Sequence, residues 1–389
     1  MRDTAIVAFA ETKIVEKGDL DVWELGAEVM ETLLLRTGIE KSEIDGLILS
    51  SSMTGAGNAF WSQATAEFLG LELNFCQTVD IGGSSPNGAL ARGVAAIEAG
   101  LCETVFLLYA DTQSSERNNQ RPHSFNLEFV APQGLMGPPG AFGFISGRYE
   151  HEFGLDFKSL AKLAVTQRDH AVLNDNACEK LRVPISIDDY MNSRMISDPI
   201  RLLDCVMVCD GASGLLLMSK KRAKEKGLSK IVTLAGYGER TNYMATELLF
   251  DPTKSGHAVA AERAFKQSGL TPKDIHSFQP YDDFIIANML QMEAIGFCKR
   301  GQGCGYINET NFHFDGDLPF QTGGGQISAG QTGLAGGGVN LVEAVRQLFG
   351  EGGKRQVKKS ETALVTGIGG IGYGRNWTTS TVVILEREG

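Results

Sequence analysis

The 389-residue sequence predicts a doubled α/β protein, in which strands and helices alternate in two pseudo-symmetric βαβαβ halves. Three observations carry this prediction. Glu31 to Ile44 reads as a helix, a glycine stop at Gly38 and a short helical turn, and Glu262 to Ile275 repeats the pattern with its stop at Gly269. Ala89 to Gly100 and Val339 to Gly350 form a second matched pair of helices, each followed by a strand. The 47 glycines cluster in dense runs beside apolar segments rather than spreading as in a linker.

Taken in chain order, the chain enters an apolar strand at once from Met1-Arg2-Asp3-Thr4. Glycine at each helix stop suits a left-handed C-cap, and strands follow at Gly46 to Ser50 and at Ser277 to Pro280. The helix from Ala89 leads to Glu103-Thr-Val-Phe-Leu-Leu108, and that from Val339 leads to Glu361-Thr-Ala-Leu-Val365. Alternation of this kind implies a mostly parallel sheet covered by helices. Residues 1–225 form the first half and 226–389 the second. Within the first, about 112–199 reads as an inserted cap with helical spacing over Phe157 to His170 and Ile187 to Arg194. Cys205-Val-Met-Val-Cys209 reads as a buried strand.

Composition narrows the function classes. A net charge of −11, with no basic cluster, argues against nucleic-acid binding. No apolar stretch approaches the ~20 residues of a membrane span, and the N-terminus does not read as a signal peptide, so the expected compartment is the cytoplasm. The seven cysteines contain no CxxC pair and the six histidines no HExxH, so reduced thiols without a metal are expected. The glycine runs match neither GxGxxG nor a P-loop, and no nucleotide cofactor is expected.

Several motifs resemble the thiolase superfamily, most closely its sterol-carrier and lipid-transfer branches. They are Arg194-Met-Ile-Ser-Asp-Pro199-Ile-Arg-Leu-Leu-Asp204, Asp210-Gly-Ala212, Leu290-Gln-Met-Glu-Ala-Ile-Gly-Phe-Cys298 and Gly316-Asp-Leu-Pro319. The resemblance spans nearly the whole chain and implies a layered α/β/α/β/α core and a homodimer. It also exposes departures. Gly83, in Asp80-Ile-Gly-Gly83-Ser84-Ser85-Pro-Asn87, stands where the family carries its nucleophilic cysteine. Thr322-Gly323-Gly324-Gly325 and Gly330-Gln331-Thr332 stand where it carries histidines, and Gly367 where many members carry a second cysteine.

A thiolate nucleophile with its histidine activator is therefore missing from the expected places. Ser84 has no histidine mapped beside it, and Cys298 and Cys304 have no matched role. Tyrosine and acid remain, in Pro280-Tyr281-Asp282-Asp283-Phe284 and at Tyr373 in the last glycine loop. The departure resembles thiolase-like aldolases of steroid side-chain degradation. That resemblance implies retro-aldol cleavage of a β-hydroxyacyl-CoA to a shorter acyl-CoA and a ketone or aldehyde. It implies tyrosines in place of the nucleophile, and a small zinc-ribbon/OB-fold (DUF35-type) partner.

On this reading Tyr281 and Tyr373 are acid and base, and Asp283 orients one of them. Gly83, Ser84, Ser85, Gly323, Gly324 and Gln331 border the pocket, with loop amides holding the enolate oxygen. CoA enters as the substrate's handle, with Arg148 and Arg168, beside Arg117 and Arg121, as candidates for its phosphates. An atypical thiolase or acyltransferase, and a non-catalytic acyl-CoA-binding subunit, are the competing readings.

Overall fold

A computed structural model describes residues 3–116, 128, 131–134, 137–247, 251–371 and 377–388. In chain order the first half runs β1 (Thr4–Glu11), α1 (Val22–Thr37), β2 (Gly46–Ser50), α2 (Trp61–Leu69), β3 (Phe75–Val79), α3 (Ser85–Glu98) and β4 (Thr104–Asp111). The insert contributes α4 (Pro138–Phe153), α5 (Phe157–Val172), α6 (Ile187–Asn192) and a small hairpin of β5 (Met195–Ser197) and β6 (Ile200–Arg201), and β7 (Gly211–Ser219) and α7 (Lys220–Glu225) follow. The second half runs β8 (Val232–Thr241), α8 (His257–Ser268), β9 (Ser277–Gln279), α9 (Ile285–Ile295), α10 (Gly303–Glu309), α11 (Gly325–Ala329), α12 (Gly337–Leu348), β10 (Thr362–Ile368) and β11 (Thr379–Arg387).

The repeat seen in the sequence is a repeat in space. Gly38 and Gly269 both close their helices in the left-handed conformation, at φ 68° and 78°. Asp21 also begins α1 with a capping box, its carboxylate accepting from Trp23 and Glu24 amides while Glu24 answers the Asp21 amide.

Apart from the β5–β6 hairpin, the strands form one nine-stranded sheet in the order β3-β2-β4-β7-β1-β8-β11-β10-β9. Only Ile6 and Val232 pair β1 with β8, so the sheet divides there into two packed halves. The apolar faces of α3 and α12 (Leu90, Val94, Leu341, Val345) share one core with strands of both halves. The outer face of the first half packs on α1 and α2 through Val29, Leu33, Leu47 and Leu69. The outer face of the second packs on α8 and α9 through Ala260, Ala264, Ile286 and Leu290. The layers are therefore α/β/α/β/α. The insert belongs in sequence to the first half, yet Phe142, Ile145, Tyr149 and Leu160 share the outer core of the second.

Two expectations need correction. The sheet is mixed rather than mostly parallel: β2 pairs in parallel with β3 and β4, and β9 with β10, whereas β7 and β11 return antiparallel through the middle. Strand direction is set by which distant segment supplies the partner, and apolar patterning does not record it. Cys205 to Cys209 is not a strand either. It carries isolated bridges from Cys205 to Phe284 and from Val208 to Gln331, and Val208 is exposed.

Asp111, at the end of β4, joins the two halves. Its buried carboxylate accepts from Ser52 Oγ (3.1 Å), the amides of Met53 (2.8 Å) and Thr54 (3.1 Å), Thr54 Oγ1 (2.9 Å) and, from the other half, the Leu334 amide (3.1 Å). Asp111→Ala strips a partner from three backbone amides at once. It is expected to cost about 3 to 5 kcal/mol, read as a lower urea midpoint at unchanged slope.

Candidate active site

The N-termini of the two central helices meet at Gly83. Ser85 opens α3 with Pro86 in its first turn, and a Cβ on Gly337, the first residue of α12, would lie 2.6 Å from the Gly83 carbonyl. Two positive helix ends directed at one place favour charge that develops as an anion there.

Tyr281 reaches the same place from the end of β9. Its amide donates to Thr366 Oγ1 (2.8 Å), and its carbonyl accepts from Gln291 Nε2 (2.8 Å), so its backbone is fixed on both sides. Its ring is buried. A Cβ built on Gly83 would lie 2.2 Å from the Tyr281 hydroxyl and 2.4 Å from its ring carbon Cζ. The phenol thus occupies the space that any side chain at position 83 would need.

The Tyr281 hydroxyl neighbours the Asp283 carboxylate and the Gln331 side chain, and Gln331 Nε2 donates to Asp283 Oδ1 (2.5 Å). Burial, and then the charges of Asp283 and Asp282, push the phenol well above its ordinary value, so it is neutral. Burial, and then the neighbouring Asp282, push Asp283 up to about 7. Burial also raises Asp282, to about 6, against the donors that surround it.

Those donors make Asp282 a framework residue that sequence reading passed over. It accepts from the Gln326 and Ile327 amides at the start of α11 (2.9 and 3.1 Å), from Gln167 Nε2 on α5 (2.6 Å) and from Asn340 Nδ2 on α12 (3.3 Å). Two buried histidines were also passed over. His170 Nδ1 pairs with the Gln321 carbonyl (3.1 Å), and its Nε2 accepts from the Phe314 amide (3.0 Å), which leaves the proton on Nδ1. His257 bridges Ser255 Oγ (2.8 Å) and the Gly367 carbonyl (3.0 Å). Burial holds both imidazoles down to about 4, so both are neutral. No local pattern marks these three residues; their partners come from distant segments.

The Gly83 amide donates to the Gly369 carbonyl at 3.3 Å. Ser84 is sealed, its hydroxyl without a partner and its Cα 2.9 Å from where a Cβ on Gly367 would stand. Ser85 Oγ is occupied internally, by the Gly82 carbonyl (2.6 Å), the Ile81 amide (3.1 Å) and Ser51 Oγ (3.1 Å). Glu343 and Ala171 stand against the places that Cβ atoms on Gly323 and Gly324, respectively, would take. Behind them Glu343 is buried with Arg355 (2.9 Å) and Arg346 (3.2 Å) and accepts from Thr322 Oγ1 (2.7 Å).

Arg168 is buried within the insert, donating to Ser328 Oγ (3.3 Å) and the Val183 carbonyl (3.1 Å), and Arg148 pairs with Glu152 (3.5 Å) on the surface of α4. Cys298 and Cys304 are partly buried, their thiols pushed up first by burial. Tyr373, Arg117 and Arg121 lie outside the described residues.

The close approach at Gly83 gives a double-variant test. Gly83→Ala should displace the Tyr281 ring and destabilise the fold. Shortening the ring partner, in Gly83→Ala with Tyr281→Ala, should recover part of that loss. A non-additivity of about 1 to 3 kcal/mol in urea unfolding is expected; strict additivity would mean that the two residues do not compete for space.

Comparisons with known proteins agree with this architecture. The chain is 28% identical over 368 residues to a protein of Thermomonospora curvata named steroid side-chain-cleaving aldolase, covering 89% of this chain and 90% of the relative. It is also 28% identical to an acetyl-CoA acetyltransferase of Methanothermobacter thermautotrophicus, covering 96% and 97%. Among solved structures, one titled Ltp2-ChsH2(DUF35) aldolase superposes with a TM-score of 0.87 at 27% identity, covering 99% of this chain and 97% of that one. The family description "Thiolase, N-terminal domain" matches residues 4–221 and "Thiolase C-terminal domain-like" matches 238–387. Both halves of the layered fold are thus accounted for, and the chain belongs to the thiolase family.

Proposed function

We propose that this protein is an acyl-CoA carbon–carbon lyase. It cleaves a β-hydroxyacyl-CoA by a retro-aldol reaction into a shorter acyl-CoA and a ketone or aldehyde. The observation that carries this reading is the Tyr281 hydroxyl lodged in the space of the family's nucleophile, with Asp283 as its neighbour. A site so filled cannot form an acyl-enzyme at position 83, but it can move a proton. The relative named steroid side-chain-cleaving aldolase supports a bulky acyl group.

The Tyr281 oxygen takes the β-hydroxyl proton as its own proton passes to Asp283. The Cα–Cβ bond breaks, the β-carbon becomes the carbonyl, and the bonding pair moves into the thioester enolate. The two helix ends at Gly83 favour that negative charge. Tyr373 is the proposed acid that returns a proton to Cα. CoA is part of the substrate, and no further cofactor is invoked.

Two assembly features belong to the proposal. Strand β3 ends the sheet with one edge unpaired among the described residues and Cys76 exposed, which suits pairing with a second copy. The structural relative whose title names ChsH2(DUF35) supports a DUF35-type partner.

Incubation with branched β-hydroxyacyl-CoA thioesters, with and without a co-expressed DUF35-type partner and without free CoA, tests the reading by mass spectrometry. Shortened acyl-CoA and free carbonyl product are expected, with no acyl group on the protein. Product that requires added CoA, or an acylated protein, would favour thiolysis instead. Tyr281→Phe is expected to lower kcat by roughly 10²- to 10⁴-fold with the fold intact by circular dichroism.

Asp283 must be ionised to receive the proton, and its carboxyl is pushed up to about 7. Turnover should therefore rise as pH passes upward through that value. Asp283→Asn should remove the rise and most of the activity; a profile flat in the native protein would exclude Asp283 as the proton acceptor.

A further inference from the structure

A buried amide with nothing to pair with destabilises the protein that holds it, so natural structures keep few of them. Among the described residues, two buried amide side chains have neither their nitrogen nor their oxygen hydrogen-bonded: Asn288, inside α9, and Gln326, in the first turn of α11.

Gln326 stands against the site. A Cβ on Gly336 would meet Gln326 Oε1 and lie 3.1 Å from Gln331 Cγ, so the Gln326 carboxamide and the Gln331 side chain are neighbours at the start of α12. Gly336 caps that helix without a side-chain hydrogen bond, and a Cβ on the next residue, Gly337, would lie 2.6 Å from the Gly83 carbonyl. The carboxamide thus lies at the positive end of a twelve-residue helix, on the approach to Gly83 and Tyr281. Gln331 and Asp283 are only half-buried, so the site meets solvent beside this carboxamide.

The other amides of this group have their nitrogens committed. Gln167 and Asn340 donate to Asp282, Gln321 to the Pro280 carbonyl and Gln331 to Asp283. Gln326 keeps its nitrogen unpaired, yet its backbone is fixed. Its amide donates to Asp282 Oδ1 (2.9 Å), and Gly325 before it holds a left-handed turn, at φ 59°. A donor mounted in advance suits a charge that develops during reaction, because the donor need not reorganise as the charge forms.

We infer that Gln326 is a substrate-binding residue whose Nε2 donates to the thioester oxygen of an acyl-CoA. Turning the Gln331 side chain aside uncovers the amide to a ligand that enters past Asp283. The ligand class is a thioester, recognised through its carbonyl oxygen. The helix end and the carboxamide then hold the charge on that oxygen as the thioester becomes an enolate. The enolate step rests on the lyase reading; recognition of the thioester oxygen does not.

Calorimetric titration of the full chain with octanoyl-CoA and with S-octyl-CoA, a thioether without the carbonyl oxygen, tests the contact. Neither ligand carries the β-hydroxyl that cleavage requires. The native protein is expected to prefer the thioester about tenfold, and Gln326→Leu and Gln326→Met to bind the two ligands alike. The urea midpoints of both variants should equal or exceed the native one, because an apolar group of similar shape replaces an unpaired amide. Equal binding of the two ligands by the native protein, a preference retained in the variants, or a midpoint lowered in both would overturn the assignment. With a branched β-hydroxyacyl-CoA and the DUF35-type partner present, Gln326→Met should lower kcat about 10²-fold with a smaller change in KM. Cleavage at the native rate by this variant would overturn the enolate role. A native protein that prefers the thioester but cleaves nothing would count against the lyase reading alone.

Discussion

Asp282 has no solvent contact, and its two oxygens accept hydrogen bonds from residues on three helices. Removing a carboxylate from water costs several kcal/mol, and hydrogen bonds to a charged group return about 1.5 to 3 kcal/mol each. Its balance therefore depends on the donors from α5, α11 and α12 arriving together. Where they do, the turn after β9 has one conformation, and Tyr281 and Asp283 on either side of Asp282 point where they do. The site is an outcome of this sealed carboxylate more than of the tyrosine itself.

The layered fold explains why those donors can converge. The central helices α3 and α12 run between the two halves of the sheet, and their first residues are glycine, serine and proline rather than bulky side chains. That choice lets Gly83, Gly337 and the ring of Tyr281 approach within van der Waals limits. The insert adds Gln167 and closes the outer face of the second half. A long excursion in sequence is thus a wall of the site in space.

Much of this was legible in the chain. The paired helix stops at Gly38 and Gly269, the strands that follow, and the helices from Ala89 and Val339 rest on local signals, and they stand where expected. Strand direction was not legible, because β7 and β11 take partners far away in sequence. The apolar run Cys205 to Cys209 misled for a related reason: it lies along the Gln331 segment and gains bridges without joining the sheet. Tyr281 was legible only as a departure from a familiar motif. Asp282, His170 and His257 were not, since each is defined by groups contributed from several elements.

The contact between Gly83 and Tyr281 also bears on descent within the family. A nucleophile at 83 and a phenol at 281 contend for one volume, so neither can be exchanged for the other while its counterpart stays. Passage between acyl-transfer and proton-transfer chemistry would have to cross an intermediate with a small residue at both positions and neither activity. The two positions should accordingly covary as a unit among relatives, and their joint identity is a better guide to chemistry than overall percentage identity, which is 28% to an acetyltransferase and to an aldolase alike.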